Sequence, residues 1–154
     1  MKGNQKVIDG LNGLLADATV FYQKLRHYHW NVVGSDFFTL HVKFEELYTA
    51  WALTIDQMAE RILMLEGVPL HTLAAMLERT EIQEDESIPG AAEMVDALLG
   101  DLSVMRARLM ALIGTAESAD DRSTVNMLDA VADALDKDVW MLGAWKKEGS
   151  KAWS

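Results

Sequence analysis

Not one of the 154 residues is cysteine, which excludes disulfides and thiolate metal sites and leaves the redox compartment unmarked. Proline occurs only at 2 positions and glycine at 10, so long helices can run with few breaks. Positive charge is scarce as well: 14 lysines and arginines face 24 acids, for a net charge of −10. A uniformly acidic body repels phosphate, so nucleic-acid binding would need a local basic arm. The ends offer only Lys2 and Lys6, and Lys146, Lys147 and Lys151 diluted by Glu148. Such a cluster reads as a solvated helix end, well placed against the helix dipole. DNA binding is therefore expected to be absent or weak. No apolar run approaches a membrane span, and MKGNQKVIDG lacks the hydrophobic segment of a signal peptide. The expectation is a cytoplasmic protein with no membrane partner.

What is present is ordinary globular composition, 50% hydrophobic and 25% charged, in one domain's worth of chain expected to span residues 1–154. Apolar residues recur at steps of three and four. A first helical stripe runs Leu11, Leu14, Ala18, Tyr22, Leu25, His29, Val32 and stops at Gly34, suited to a left-handed cap. Asp36 is placed to cap a second helix striped by Leu40, Phe44, Leu47, Trp51, Ile55, Met58, Ile62 and Leu65, which Gly67 and Pro69 end. LHTLAAML (70–77) is a short helical piece, followed by the acidic loop ERTEIQEDES. A third long helix spans about Pro89 to Ala116, and ESADDRS is a turn with several candidate caps. The last helix carries Val125, Leu128, Leu135, Val139, Leu142 and Trp145 and ends near Gly149. The sum is an all-α four-helix bundle with a short extra helix in the connection between the second and third helices, a connection long enough to cross the bundle.

A bundle of this kind invites a di-iron site, whose intrachain form needs two Glu-x-x-His motifs. None of the 4 histidines has a glutamate three residues before it, so that form is excluded. The second helix offers another arrangement. His41 and Glu45 stand one turn apart, as do Asp56 and Glu60. Glu45 and Asp56 are roughly 16 Å apart along the axis, too far to share an ion, yet all four residues lie within about 100° around it. The pairs 41/60 and 45/56 share one midpoint, between Ala50 and Trp51. A two-fold axis there, relating two antiparallel copies, would set His41 beside the other chain's Glu60 position and Glu45 beside its Asp56 position, giving two identical sites per dimer. His29 folds back about Ser35 and Asp36 to the level of residues 41–43 and joins them. Two imidazoles and three carboxylates suit iron, zinc or manganese better than copper(I).

Each piece alone has a plainer reading. Asp56 and Glu60 would pass for a solvated face beside Arg61, and His27 points about 200° away from His29. His71, beside Pro69, reads as a loop residue. Tryptophans and methionines are by default core filler. The shared midpoint of the set is what points to a metal.

HYHWNVVGSDFFTLHVKFEELY (27–48) and IDQMAERIL (55–63) resemble, at intact spacing, the histidine and Asp-x-x-x-Glu-Arg segments of the Dps proteins, the miniature ferritins of bacteria. The resemblance implies a ferritin-like bundle, with His29, His41, Glu45, Asp56 and Glu60 as ferroxidase ligands between subunits; Glu45 stands where many members have aspartate. It also implies a hollow homododecamer built on two-fold dimers, oxidising ferrous iron with hydrogen peroxide in preference to dioxygen and storing ferric mineral against oxidative damage. Trp30, next to His29, and Trp140 are implied to quench stray oxidising equivalents. Two features depart from the family pattern. Arg122 and Asn126 replace acids expected at a three-fold pore, leaving Glu117, Asp120 and Asp121, and there is no long lysine-rich N-terminal tail. The alternatives are a DNA-binding, nucleoid-compacting protein, which a gel shift at physiological salt would reveal, and a helical assembly protein with a structural zinc site, which would bind metal without oxidising iron.

Overall fold

The computed structural model describes residues 3–147 as five helices and, among these residues, no strand. They are α1 (Gln5–Asn31), α2 (Phe37–Met64), the short α3 (Leu73–Arg79), α4 (Ala91–Ser118) and α5 (Arg122–Lys146). The expected helix end near Gly149 lies outside the described residues. Expected boundaries moved little: α4 starts two residues after Pro89, on the N-cap Gly90, and runs two past Ala116.

α1 and α2 are folded back on each other through the turn at Gly34, whose φ of 102° is the left-handed region glycine enters at no steric cost. Asp36 occupies the cap position of α2 but its side chain makes no capping hydrogen bond, unlike Asp121, which accepts from Thr124 N at 3.1 Å at the start of α5. The core comprises the predicted stripes: Leu11, Leu14 and Leu25 of α1; Leu40, Phe44 and Met58 of α2; Leu98, Met105 and Leu109 of α4; Leu128, Leu135 and Leu142 of α5. Trp51 is buried and packs edge-on against Phe21, with centroids 5.7 Å apart. No helix among the described residues is long and apolar enough to cross a membrane.

α1 is buried beyond its stripe. Every residue from Leu11 to Ala18 is buried, because the α2–α4 connection crosses its outer face. The polar residues there hold that connection down. Asn12 donates to Val68 O and accepts from Leu70 N; Asp17, wholly buried, accepts from Thr80 Oγ1 and Glu81 N, both at 2.8 Å. Lys24 Nζ reaches Gln83 O at 3.0 Å and Asp101 at 2.9 Å, and Tyr28 OH donates to Asp85 at 2.6 Å. Buried polar groups of this kind persist because each has found a partner. Arg108 bridges Asp17 and Glu81, at 3.2 and 2.6 Å, and so closes the clasp from α4.

Candidate metal centre

His29 lies in the last turn of α1 and His41 in the second turn of α2, so the Gly34 turn brings them face to face. Their rings stack with centroids 3.8 Å apart and planes 14° apart. Each Nδ1 lies 2.7 Å from the other residue's backbone carbonyl oxygen. A carbonyl only accepts, so both Nδ1 atoms carry the proton and donate. In a neutral imidazole that leaves Nε2 as a lone pair, the form that binds metal, oriented by a hydrogen bond at the opposite nitrogen.

Three side chains frame this pair. Phe37, one turn before His41, stacks on its outer face at 4.8 Å. Tyr48 meets His29 edge-on at 5.3 Å and donates from its hydroxyl to Glu45 Oε1 at 3.3 Å. Glu45 Oε1 in turn stands 4.0 Å from His29 Nε2. Burial, then the Glu45 carboxylate, raises the Tyr48 phenol above its ordinary value. His29 is buried while Glu45 is exposed, so the imidazoles form the floor and the carboxylate the rim.

The structure thus brings together His29, His41 and Glu45. Asp56 and Glu60 lie farther along α2, exposed on its surface. Among the described residues, no three His, Asp or Glu side chains close on a single ion position. The same face of α2 carries Leu53 and Leu63, 69% and 58% exposed. The other two histidines are spent elsewhere. His27 Nε2 donates to Ser87 O at 2.8 Å and its Nδ1 accepts from Asn31 Nδ2 at 2.9 Å, which leaves no lone pair; His71 is exposed, its Nδ1 on Pro69 O. Trp30 and Trp140 are 56% and 67% exposed and fill no core.

A second feature sits at the α4–α5 turn, where Glu117, Asp120, Arg122, Asn126 and Asp129 line an open concavity of about 520 Å³. Asp121 also borders it but is already engaged. Hydrogen bonds from Thr124 and the Arg61 guanidinium outweigh its burial and lower its pKa. Asp129, one turn beyond Asn126, is an acid that the sequence reading passed over.

The ferritin-like domain model matches residues 8–151, nearly the whole chain. This chain belongs to the Dps family of ferritin-like proteins. It is 47% identical over 135 residues to the DNA protection during starvation protein of Brevibacillus brevis, covering 88% of this chain and 91% of that one. A crystal structure of a Dps protein from Bacillus brevis superposes with a TM-score of 0.91 at 45% identity, over 93% of this chain and 96% of that chain. The Dps protein of Vibrio cholerae, described as one of a broad superfamily of ferritin-like diiron-carboxylate proteins, gives 0.91 at 35% identity over 96% and 98%. The Dps fold accounts for the crossing connection and its short α3. Imidazole and carboxylate donors with no sulfur are the ligand chemistry that suits iron.

Proposed function

We propose that this Dps protein is a ferroxidase and iron store. It oxidises ferrous iron, preferably with hydrogen peroxide, at sites shared by two subunits, and keeps the ferric product in a hollow homododecamer. The observation that carries this reading is the reciprocal Nδ1 bonding of His29 and His41, which frees both Nε2 lone pairs, that of His29 lying 4.0 Å from Glu45. Three donors make half a site. Asp56 and Glu60 of a second copy, related by a two-fold axis at Ala50 and Trp51, would complete it. The exposed Leu53 and Leu63 on that face of α2 support its being covered by another subunit.

The chemistry follows from the donor set. Carboxylates favour ferric over ferrous iron, so binding promotes oxidation. Two ferrous ions side by side deliver both electrons to one peroxide, which leaves as water with no hydroxyl radical released. The acidic body attracts cations to the shell, and zinc or manganese would compete for the same donors. Anaerobic ferrous titration followed by peroxide tests the reading. Ferric absorbance at two irons per peroxide, without hydroxyl radical, is expected; metal binding with no oxidation would leave the structural-metal alternative in its place.

A further inference from the structure

The His41 imidazole lies between two flat faces. On one side is the His29 ring, its centroid 3.8 Å away and its plane tilted by 14°. On the other is the Phe37 ring, at 4.8 Å and 19°. The two histidines are not equally enclosed. His29 is buried, with Tyr48 edge-on against it, whereas His41 is only half-buried. Phe37 is half-buried too, and meets the 82% exposed Phe38 edge-on at 5.3 Å.

The main chain settles less about His41 than its tautomer suggests. The hydrogen bond from Nδ1 to His29 O fixes which nitrogen carries the proton, but such bonds tolerate a broad range of angles. The ring can roll about that bond, and Nε2 swings with it. Aiming the lone pair requires the plane of the ring to be held as well, and flat contacts on its faces do that. His29 supplies the inner face. Phe37 supplies the outer one.

Resting on the shared iron-site reading, we propose that Phe37 is a positioning residue, which locks the plane of His41 and so aims its Nε2 at the ion. Phe37 stands one turn before His41, the spacing at which helical side chains meet. Its backbone N–H donates to Gly34 O at 3.1 Å, which ties the ring to the turn that brings the histidines together. Asp36 makes no side-chain cap there, so the ring stack is what braces the first turn of α2 against His41. The role calls for a flat face and not merely for bulk. Leucine would keep the site apolar but offers no plane for an imidazole to lie on, while tyrosine keeps the plane.

Assembled wild type, Phe37→Leu and Phe37→Tyr are titrated with cobalt(II) in the absence of oxidant. Calorimetry gives the affinity, and the visible d–d absorption reports the donor geometry. Phe37→Leu is expected to bind about ten- to a hundredfold more weakly, the range for losing a group that orients a ligating histidine, with shifted d–d bands. Phe37→Tyr should return both readouts close to wild type. Nitrogen NMR of protein carrying isotope-labelled histidine should show the Nδ1–H form of His41 in all three, because the carbonyl that sets it is untouched. A Phe37→Leu protein that binds and absorbs like wild type overturns the role of Phe37, and so does a Phe37→Tyr protein as weak as Phe37→Leu. Loss of the Nδ1–H form in Phe37→Leu overturns it as well, since the turn itself would then have come apart. In each of these cases cobalt uptake by the wild type leaves the metal centre standing. A wild type that takes up no cobalt overturns the iron-site reading and this proposal with it.

Discussion

Glu45 Oε1 stands 4.0 Å from His29 Nε2, beyond hydrogen-bond reach yet close enough for both to hold one cation at the usual first-row distances of about 2.0–2.2 Å. The gap is a ligand-sized space with lone pairs on its borders. The shared-site reading grows from that space.

If Asp56 serves the site of another subunit, His29→Ala and Asp56→Ala each abolish rapid iron oxidation in the homo-oligomer. Co-assembled from the two variants, a mixed dimer rebuilds one intact site of its two. Partial recovery in stopped-flow absorbance is expected. Mixed particles confirmed by native mass spectrometry but still inactive would refute the across-the-axis assignment.

Leu53→Glu places a charge on the apolar part of the same face. It should dissociate the assembly while leaving the monomer's helical circular dichroism intact, since Leu53 contributes nothing to the monomer's buried core. Light scattering reads the outcome. A stable particle of unchanged mass would mean that this face of α2 is not an interface.

Asp17 is the most deeply buried charge on α1, with two hydrogen bonds to the crossing connection and one ion pair to Arg108. Asp17→Ala leaves Thr80 and the Glu81 amide without their acceptor and should cost about 3 kcal/mol. Arg108 keeps Glu81 as a partner, which limits the loss. The urea midpoint measures it.

Asp85 anchors the same connection. Hydrogen bonds from Ser87 and Tyr28 pull its carboxyl down from 3.8 to about 2. A depressed carboxylate stabilises the fold above its unfolded value and surrenders that contribution as pH falls through the folded one. The relevant window runs from about 4 down to about 2. In Asp85→Asn the fall of the urea midpoint across this window should be shallower than in the wild type; identical slopes would show that the pair does not couple to folding.

DNA retention is not expected at physiological ionic strength with chelator present. Each phosphate neutralised costs about 0.9 in log affinity per tenfold rise in salt, so tight binding needs several accessible cations. Lys146 is already paired with Asp96, and the positions of Lys2 and Lys151 lie outside the described residues. Multivalent display on a particle favours binding but works against the net charge of −10 carried by every chain. Plasmid held in a gel shift at that salt, and released on truncation after Ala144, would contradict this and identify the arm.

The helices were legible because apolar spacing is a local signal, and Gly34, Gly67 and Pro69 punctuate it. The burial of α1 was less so. Asn12, Asp17 and Lys24 lie off the apolar stripe of α1, and only the crossing connection, about sixty residues away in sequence, covers them. At the site, the pairing of His29 with His41 followed from helix arithmetic. Their tautomers did not, since the acceptors are backbone carbonyls and carry no side-chain signature. Tyr48 was missed for a related reason: its contact with His29 is between helices, while its spacing from Glu45 is that of any neighbour one turn along.

The acceptors that fix both imidazoles belong to the main chain, and this decides how the site weathers mutation. No exchange of a neighbouring side chain can delete a carbonyl, so drift around the pair leaves the tautomers untouched. The vulnerability moves to the hinge. Gly34 is solvent-exposed with open space where a Cβ would go, so a replacement there collides with nothing and leaves the core alone. Its only penalty is the left-handed backbone, and any relaxation of that turn would slide α1 against α2 and part the two histidines. A residue with no side chain, at the surface and with open space where one would go, is thus the inherited weak point of the centre.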